Sequence, residues 1–216
     1  CGITSFLLNR KIREDYPGKG LYNPANEHDA CGVGMIVNLN GTKTHRLIDD
    51  ALQVLENMQH RGAEGADSKT GDGAGIMIQI PHEFILLQGI PVPEKGKYGT
   101  GMVFLPKEPE EQENLLRIIT EEIEREGMTL MHLRTVPVNS DVLGNGARAT
   151  EPDIRQLFVT AGTDENELER KLYIVRKKIE KRIRHKDFYI VSLSCRNIVY
   201  LSLIHISEPT RRSYIS

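Results

Sequence analysis

The sequence predicts an α+β fold, with antiparallel sheets and helices packed on their outer faces. Strand-like runs fall in adjacent groups, long amphipathic helices separate those groups, and the strict β-α-β alternation of a parallel sheet is missing.

Residues 1–30 are polar and irregular, broken by Pro17, Gly18, Gly20 and Pro24. Residues 32–39 (GVGMIVNL) read as a buried strand, and Asn40-Gly41 as a type I′ hairpin signal. Over 45–59, Ile48, Ala51, Leu52, Leu55 and Met58 recur at helical spacing. Arg61 and Gly62 suit the end of that helix, where a cation meets the negative end of the dipole and glycine takes the left-handed conformation. A glycine-rich stretch, 62–75, leads into a short strand at 76–80 that Pro81 closes, and a short helix follows to Leu87.

Residues 98–105 read as a strand and 109–127 as an amphipathic helix, with Leu115, Leu116, Ile119 and Ile123 on one face. Strands are expected over 129–138 and 155–160. Asp164 is placed to cap a long helix whose apolar face is Leu168, Leu172, Val175, Ile179 and Ile183. Two strands, 188–194 and 198–203, flank a tight turn near Arg196-Asn197. There is no internal repeat and no low-complexity run.

The chain has 216 residues, enough for one sizeable domain. Its 39% hydrophobic and 27% charged residues fit a soluble globular protein. A net charge of -2 points to neither a nucleic-acid nor a membrane partner. No apolar run is long enough to cross a bilayer. Phe6-Leu7-Leu8 is too short for a secretory core, so a cytoplasmic setting is expected. The first residue is not Met, which reads as processing or a fragment. The seven histidines are scattered, and none pairs with a cysteine at zinc-ligand spacing.

Cys1, Cys31 and Cys195 are odd in number and far apart, and read as reduced thiols. A cysteine at a chain start is chemically special. Its α-amine, with a pKa near ~8, can exchange a proton with a thiol near ~8.5, so no histidine base is needed. A peptide nitrogen has no such lone pair, so Cys31 works this way only if residues 1–30 are removed. Cys1 lacks a following hairpin or Gly-x-Gly and reads as incidental. For Cys31 the local sequence leaves two readings open. A free cysteine beside a strand is often a small buried hydrophobe, whereas Gly32 and Gly34 signal close approach of another group. Cys195, in an apolar run, reads as a buried structural thiol.

A family resemblance bears on this choice. His28-Asp29-Ala30-Cys31-Gly32-Val33-Gly34 resembles the segment around the processed cysteine of glutamate synthase large subunits. Gln59-His60-Arg61-Gly62 is similar to a motif of class II glutamine amidotransferases. Lys69-Thr70-Gly71-Asp72-Gly73-Ala74-Gly75 is more specific to glutamate synthases. Val136-Pro137-Val138-Asn139, Leu143-Gly144 and residues 187–196 resemble later family segments, in order.

The resemblance implies an N-terminal-nucleophile hydrolase fold, a four-layer sandwich of two antiparallel sheets between helical layers, here truncated. It implies Cys31 as the catalytic nucleophile, freed by loss of a propeptide ending at Ala30, and Arg61 as support for the nucleophile segment. Read alone, Arg61 is a solvated helix-end arginine. The implied reaction is hydrolysis of L-glutamine, the ammonia passing to 2-oxoglutarate in the rest of the subunit. FMN and an iron–sulfur cluster are implied for that remainder, with none in this segment, and a small electron-donating subunit is an implied partner. The family's oxyanion Asn-Gly and its carboxylate-binding arginine fall beyond this chain, so the fragment alone is expected to be inactive.

Gly71–Gly75 lacks the G-K-[ST] of a phosphate loop and reads as a turn feeding a strand. Asn145-Gly146 sits in a different family context from the oxyanion pair and reads as an exposed turn. After Tyr200 the resemblance stops, and residues 201–216 read as translated sequencing adapter. The expected domains are therefore a propeptide-like segment (1–30), a partial amidotransferase domain (31–200) and a non-native tail (201–216). The rival readings are another class II amidotransferase, or a non-catalytic module that kept the fold.

Overall fold

In the computed structural model, residues 32–58 and 73–202 are described. They form two antiparallel sheets with helices against them. In chain order the elements are α1 (His45–Asn57), β1 (Ala74–Gln79), α2 (His82–Leu87), β2 (Tyr98–Leu105), α3 (Pro109–Arg125) and β3 (Thr129–Thr135). After a 3₁₀ turn at Ser140–Val142 come α4 (Asn145–Ala149), β4 (Asp153–Thr160), α5 (Glu165–Arg182), β5 (Tyr189–Ser194) and β6 (Asn197–Ser202).

The larger sheet has the order β3-β4-β2-β5, antiparallel throughout. Alternation decides its two faces. Val103, Leu105, Leu157 and Val159 point to one side, where Leu115, Ile119 and Ile123 of α3 and Leu168, Leu172, Val175 and Ile179 of α5 close the main core. Met102 and Val191 point to the other side and pack with Ile198 of β6, flanked by Ile78, Phe104 and Tyr200. Tyr98 and Phe158 share that side with Ile80, Ile85 and Ile90.

Both long helices follow from their sequences. Asp164 Oδ1 accepts from the backbone N–H groups of Asn166 and Glu167, satisfying two orphan donors at the start of α5. Pro109 opens α3, where its missing N–H costs nothing. The helices run antiparallel and their charges complement each other. Arg182 donates to Glu121 at 2.6 Å and to Glu122 at 2.7 Å, Lys178 pairs with Glu126, and His185 lies 3.3 Å from Glu111.

The smaller sheet is the pair β1–β6, with Ile76 opposite Tyr200 and Ile78 opposite Ile198. α1 lies against β1. The apolar stripe Ile48, Ala51, Leu52, Leu55 and Met58 is half-buried, and no residue of α1 is fully buried.

Two expectations are corrected. Residues 32–39 form no strand, and Val33, Met35 and Leu39 are 88%, 88% and 94% exposed. Apolar alternation fixes which face a strand would present but supplies no partner, and among the described residues none pairs with this run. Nor is Asn40-Gly41 a type I′ hairpin. Gly41 N–H donates to Asn38 O at 3.0 Å, and the intervening Leu39 and Asn40 keep negative φ. Asn38 organises the turn, its side chain accepting from Asn40 N–H and donating to Thr42 O.

The turn after β5 is present, but the strands it joins do not pair with each other. β5 pairs with β2 and β6 with β1, so the turn carries the chain from one sheet to the other.

Candidate functional site

Cys31 and Arg61 lie outside the described residues, as do 1–30, 59–72 and 203–216. Their flanks are described. Gly34, three positions after Cys31, packs on α1. A β-carbon built there would sit 2.4 Å from Val54 Cγ1 and 3.8 Å from Met58 Cε, so the expected close approach is present at Gly34. Val54 and Met58 are four residues apart and share one helix face. Met58 is the C-cap of α1, three positions before Arg61. Gly75 has a similar role at the start of β1. Its β-carbon would lie 2.5 Å from Leu201 Cδ2 and 3.3 Å from Tyr200 O, so this glycine is accounted for by the approach of β6 rather than by a phosphate.

Cys195 is buried and is held by α5. Its Sγ donates to Glu169 Oε2 at 3.0 Å and its backbone N–H donates to the same oxygen at 2.8 Å. Ser194 Oγ also donates to Glu169, at 2.9 Å, and accepts from Arg196 N–H at 3.0 Å. Burial, and then the Glu169 carboxylate, push the thiol up to about 12. A nucleophilic cysteine needs the reverse environment, a positive one that favours thiolate. Cys195 is the structural thiol its sequence context predicts. Glu169 is the residue sequence reasoning missed: it ties down the turn between the sheets. Its position on the helix face beside Leu168 and Leu172 was the available signal.

Tyr98 is buried, its hydroxyl 3.1 Å from His82 Nδ1, and burial followed by the charge of Glu83 pushes it up to about 12. A row of polar side chains lies between the sheets: Arg134 donates to Gln156 Oε1 at 3.3 Å, and Gln156 donates to Thr100 Oγ1 at 3.1 Å. Each is partnered, which is what burial requires of polar groups. Asn145-Gly146, expected as an exposed turn, instead opens the one-turn helix α4, with Asn145 exposed. Among the described residues no group of three His, Cys, Asp or Glu is placed to hold a metal ion, and no helix is long and apolar enough to cross a membrane.

Comparison with known proteins adds what these flanks cannot. Residues 31–211 match the family model of class II glutamine amidotransferases. The chain is 45% identical over 184 residues to ferredoxin-dependent glutamate synthase 2 of Synechocystis sp., covering 82% of this chain and 12% of that protein. It is 42% identical over 193 residues to the large chain of the NADPH glutamate synthase of Bacillus subtilis, covering 86% of this chain and 13% of that protein. The NADH glutamate synthase of Saccharomyces cerevisiae is 39% identical over 199 residues, of which the chain spans 9% of the length.

Proposed function

Because the chain belongs to the class II glutamine amidotransferases, we propose that it carries the glutaminase part of a glutamate synthase, with Cys31 as nucleophile. The observation that supports this best is that the family match begins at Cys31, the residue whose Cys-Gly-x-Gly context marks it in the sequence.

The chemistry follows from a free N-terminus. The α-amine of Cys31 takes the thiol proton, directly or through one water. The sulfur attacks the side-chain amide carbon of L-glutamine. Collapse of the adduct forms a thioester and expels ammonia, which leaves with the proton the amine had taken. Water then attacks the thioester, releasing glutamate and restoring the thiol. Arg61 supports the nucleophile segment in this reading. The close approach of Gly34 to Val54 joins the segment after Cys31 to the helix whose end precedes Arg61.

The fold in this proposal is the N-terminal-nucleophile sandwich of four layers. Its support is the stacking of β6 on β2, with α3 and α5 outside one sheet and α1 against the other. The apolar run at 32–39, which pairs with no strand among the described residues, supports a smaller sheet that gains strands from further sequence. FMN, the iron–sulfur cluster, reductive amination of 2-oxoglutarate and an electron-donating subunit are assigned in this proposal to sequence beyond this chain. So are one oxyanion donor and the substrate-carboxylate clamp. Losing a single oxyanion donor costs on the order of a hundredfold or more in rate, so the 216-residue stretch alone turns over little glutamine.

In a full-length glutamate synthase carrying this sequence, Cys31→Ala abolishes glutamine-dependent synthesis and spares the ammonia-dependent reaction. Retained glutaminase activity in that variant sinks the assignment. A glutamine-analogue electrophile labels the processed subunit at one cysteine, Cys31, and absence of labelling favours a non-catalytic module. Mass spectrometry finds Cys31 at the mature N-terminus, and an active enzyme that keeps residues before it refutes removal of 1–30. The terminal residues are proposed to add nothing to stability. β6 runs to Ser202, so the test is deletion of 204–216. The family match running to residue 211 counts against this part, and a clear drop in the unfolding midpoint would make the tail native structure.

A further inference from the structure

The chain contains two Asn-Gly pairs, Asn40-Gly41 and Asn145-Gly146, and the fold treats them differently. Asparagine before glycine carries a reaction of its own. The backbone nitrogen of the glycine can close on the side-chain carbonyl of the asparagine, because glycine has no β-carbon to obstruct the approach. The closure needs a side chain free of hydrogen bonds, a main chain free to rotate, and access for base and water.

Asn40-Gly41 meets these conditions once its turn opens. Both residues are exposed, and a β-carbon built on Gly41 would meet nothing within 4 Å. The Asn40 side chain makes no hydrogen bond among the described residues. While the turn is closed, Gly41 N–H is held by Asn38 O at 3.0 Å. Asn38 braces it, its side chain accepting from Asn40 N–H and donating to Thr42 O, each at 3.0 Å. Nothing buried anchors the turn: Leu39 is 94% exposed and Thr42 is exposed as well. A segment held by a few solvent-facing hydrogen bonds opens at small cost.

Asn145 is exposed too, but its pair lies in α4, whose backbone is fastened. Arg148 N–H donates to Gly144 O at 2.9 Å, the Arg148 guanidinium donates to Ser140 O at 2.8 Å, and Lys107 Nζ donates to Arg148 O at 3.4 Å. Leu143 and Gly144, immediately before Asn145, are buried. Helical ψ turns the Gly146 nitrogen away from the Asn145 side-chain carbonyl, so closure there requires α4 to unwind from these anchors.

We propose that Asn40 is a site of spontaneous deamidation, gated by opening of the Asn38–Gly41 turn, and that α4 protects Asn145 from the same reaction. The Gly41 nitrogen gives its proton to base and attacks Asn40 Cγ. A bond from that nitrogen to Cγ forms, the bond from Cγ to the side-chain nitrogen breaks, and the side-chain nitrogen takes a proton from solvent and leaves as ammonia. Water then opens the cyclic imide. Cleavage of the new bond to Cγ leaves aspartate at position 40. Cleavage of the original peptide bond leaves isoaspartate, in which the main chain runs through Cβ and Cγ and is longer by one carbon. The net change is amide plus water to acid plus ammonia, with no change of oxidation state. Either product puts a negative charge between the run 32–39 and α1, and isoaspartate also lengthens that connection. The reaction is independent of the role proposed for Cys31.

Ageing the longest natural polypeptide carrying this sequence at pH 8, with tandem mass spectrometry of its peptides, reads the result. The Asn40 peptide gains the mass difference between an amide and an acid. Isoaspartate is recognised in it by resistance to an endoproteinase that cuts before aspartate. The Asn145 peptide of the same folded sample converts about tenfold or more slowly than the Asn40 peptide. In urea the two rates draw together, because the two pairs then differ little in chemistry. Asn38→Ala removes the brace and speeds conversion at Asn40 about fivefold or more. Asn40→Gln needs a larger ring, so it abolishes conversion at position 40 and leaves Asn145 unchanged. Circular dichroism confirms that both variants fold. The proposal is overturned if Asn145 converts as fast as Asn40 in the folded protein, if Asn38→Ala leaves the Asn40 rate unchanged, or if the product is aspartate alone, which would mean direct hydrolysis without the ring. It is equally overturned if Asn40 persists in the folded protein and converts only in urea, which would place the rest of the polypeptide over this turn.

Discussion

The helix-backed sheet and the β1–β6 pair use the same alternation of apolar residues, yet they end in different states. In the first, every inward side chain finds a second layer: Val103, Leu157 and Val159 meet Leu172, Val175 and Ile179, and all six are fully buried. In the second, Ile76 and Ile198 are buried on the inner side, while Met77 is 68% exposed on the outer side and α1 buries none of its residues fully. Alternation creates two faces, and only a covering layer turns a face into a core. The larger sheet has helices on one side and β6 on the other. Among the described residues, the smaller one has one half-buried helix against it, and the apolar run 32–39 is largely exposed. The difference bears on the proposed function, because the segment that follows the proposed nucleophile, Cys31, belongs to this exposed part.

The sharpest test of this contrast is a pair of truncations. Leu172 is fully buried between α5 and the sheet, so Leu172→Ala costs about 2–5 kcal/mol through lost contacts and a cavity. Val37 is 67% exposed, so Val37→Ala changes stability by about 0.5 kcal/mol or less. Urea unfolding of both variants measures the gap. Equal costs would mean that residues 32–39 are buried in solution and that the two halves do not differ.

Close approach gives the next largest effect. A β-carbon at Gly101 would lie 2.2 Å from Ser192 O, a backbone atom on the neighbouring strand β5 that no rotamer change can move. Gly101→Ala therefore strains the β2–β5 pairing and costs roughly 1–3 kcal/mol. At Gly34 the obstructing atom is the side-chain Cγ1 of Val54, on a helix that is only half-buried. Gly34→Ala is met by movement of α1 and costs less than Gly101→Ala. A larger loss at Gly34 would show that α1 is as firmly seated as α5.

The same physical difference explains what was legible in the sequence. The α+β class, the strand at Tyr98–Leu105, the faces of both long helices and the Asp164 cap are local: periodicity and one capping side chain fix them. Pairing is not local. Residues 188–194 and 198–203 look like two strands around a turn, and nothing in their own pattern says that they belong to different sheets. That choice is made by Glu169, twenty-six residues earlier, whose carboxylate binds the turn, and by Ala74–Gln79, which β6 pairs with. Residues 32–39 fail for the same reason, since a run of Val, Met and Ile specifies a pleat but no neighbour. The proposed site residues Cys31 and Arg61 rest on family motifs and lie outside the described residues, while Glu169 carried no motif.

Cys195 carries the comparison into reactivity. Burial and Glu169 hold its thiol far from ionisation at neutral pH. Thiol reagents at pH 8 therefore modify it only as fast as the turn opens, whereas the proposed function requires a processed Cys31 to react directly. Glu169→Gln keeps an acceptor but removes the negative charge, so it lowers the Cys195 pKa and speeds its modification. Rapid labelling of Cys195 in the unaltered protein would mean that the turn between the sheets is loose and that the helix-backed half is less complete than its burial indicates.

The smallest expected effect lies at the start of α5. The backbone N–H groups of Glu167 and Asn166 hold the Asp164 carboxyl below its ordinary value. A depressed carboxylate favours folding while it is ionised in both states. Its contribution is therefore present above the unfolded-state pKa, about 3.9, and is lost as pH falls through the lower folded-state value. The group is fully exposed, so the effect is small, and Glu121, lowered chiefly by its hydrogen bond to Arg182, adds a limb of the same sign. Substitution separates the two. Asp164→Asn keeps an oxygen to accept from the same N–H groups but cannot titrate, so it flattens only the Asp164 part of the acid limb and leaves stability near neutrality almost unchanged. Asp164→Ala removes cap and charge together and lowers stability at both pH values. Thermal melts at pH 7 and pH 3 distinguish the three proteins. If Asp164→Asn left the slope between those pH values untouched, the cap would be acting by geometry alone, and the acid sensitivity of the helix-backed half would belong to Glu121 and its neighbours on α3.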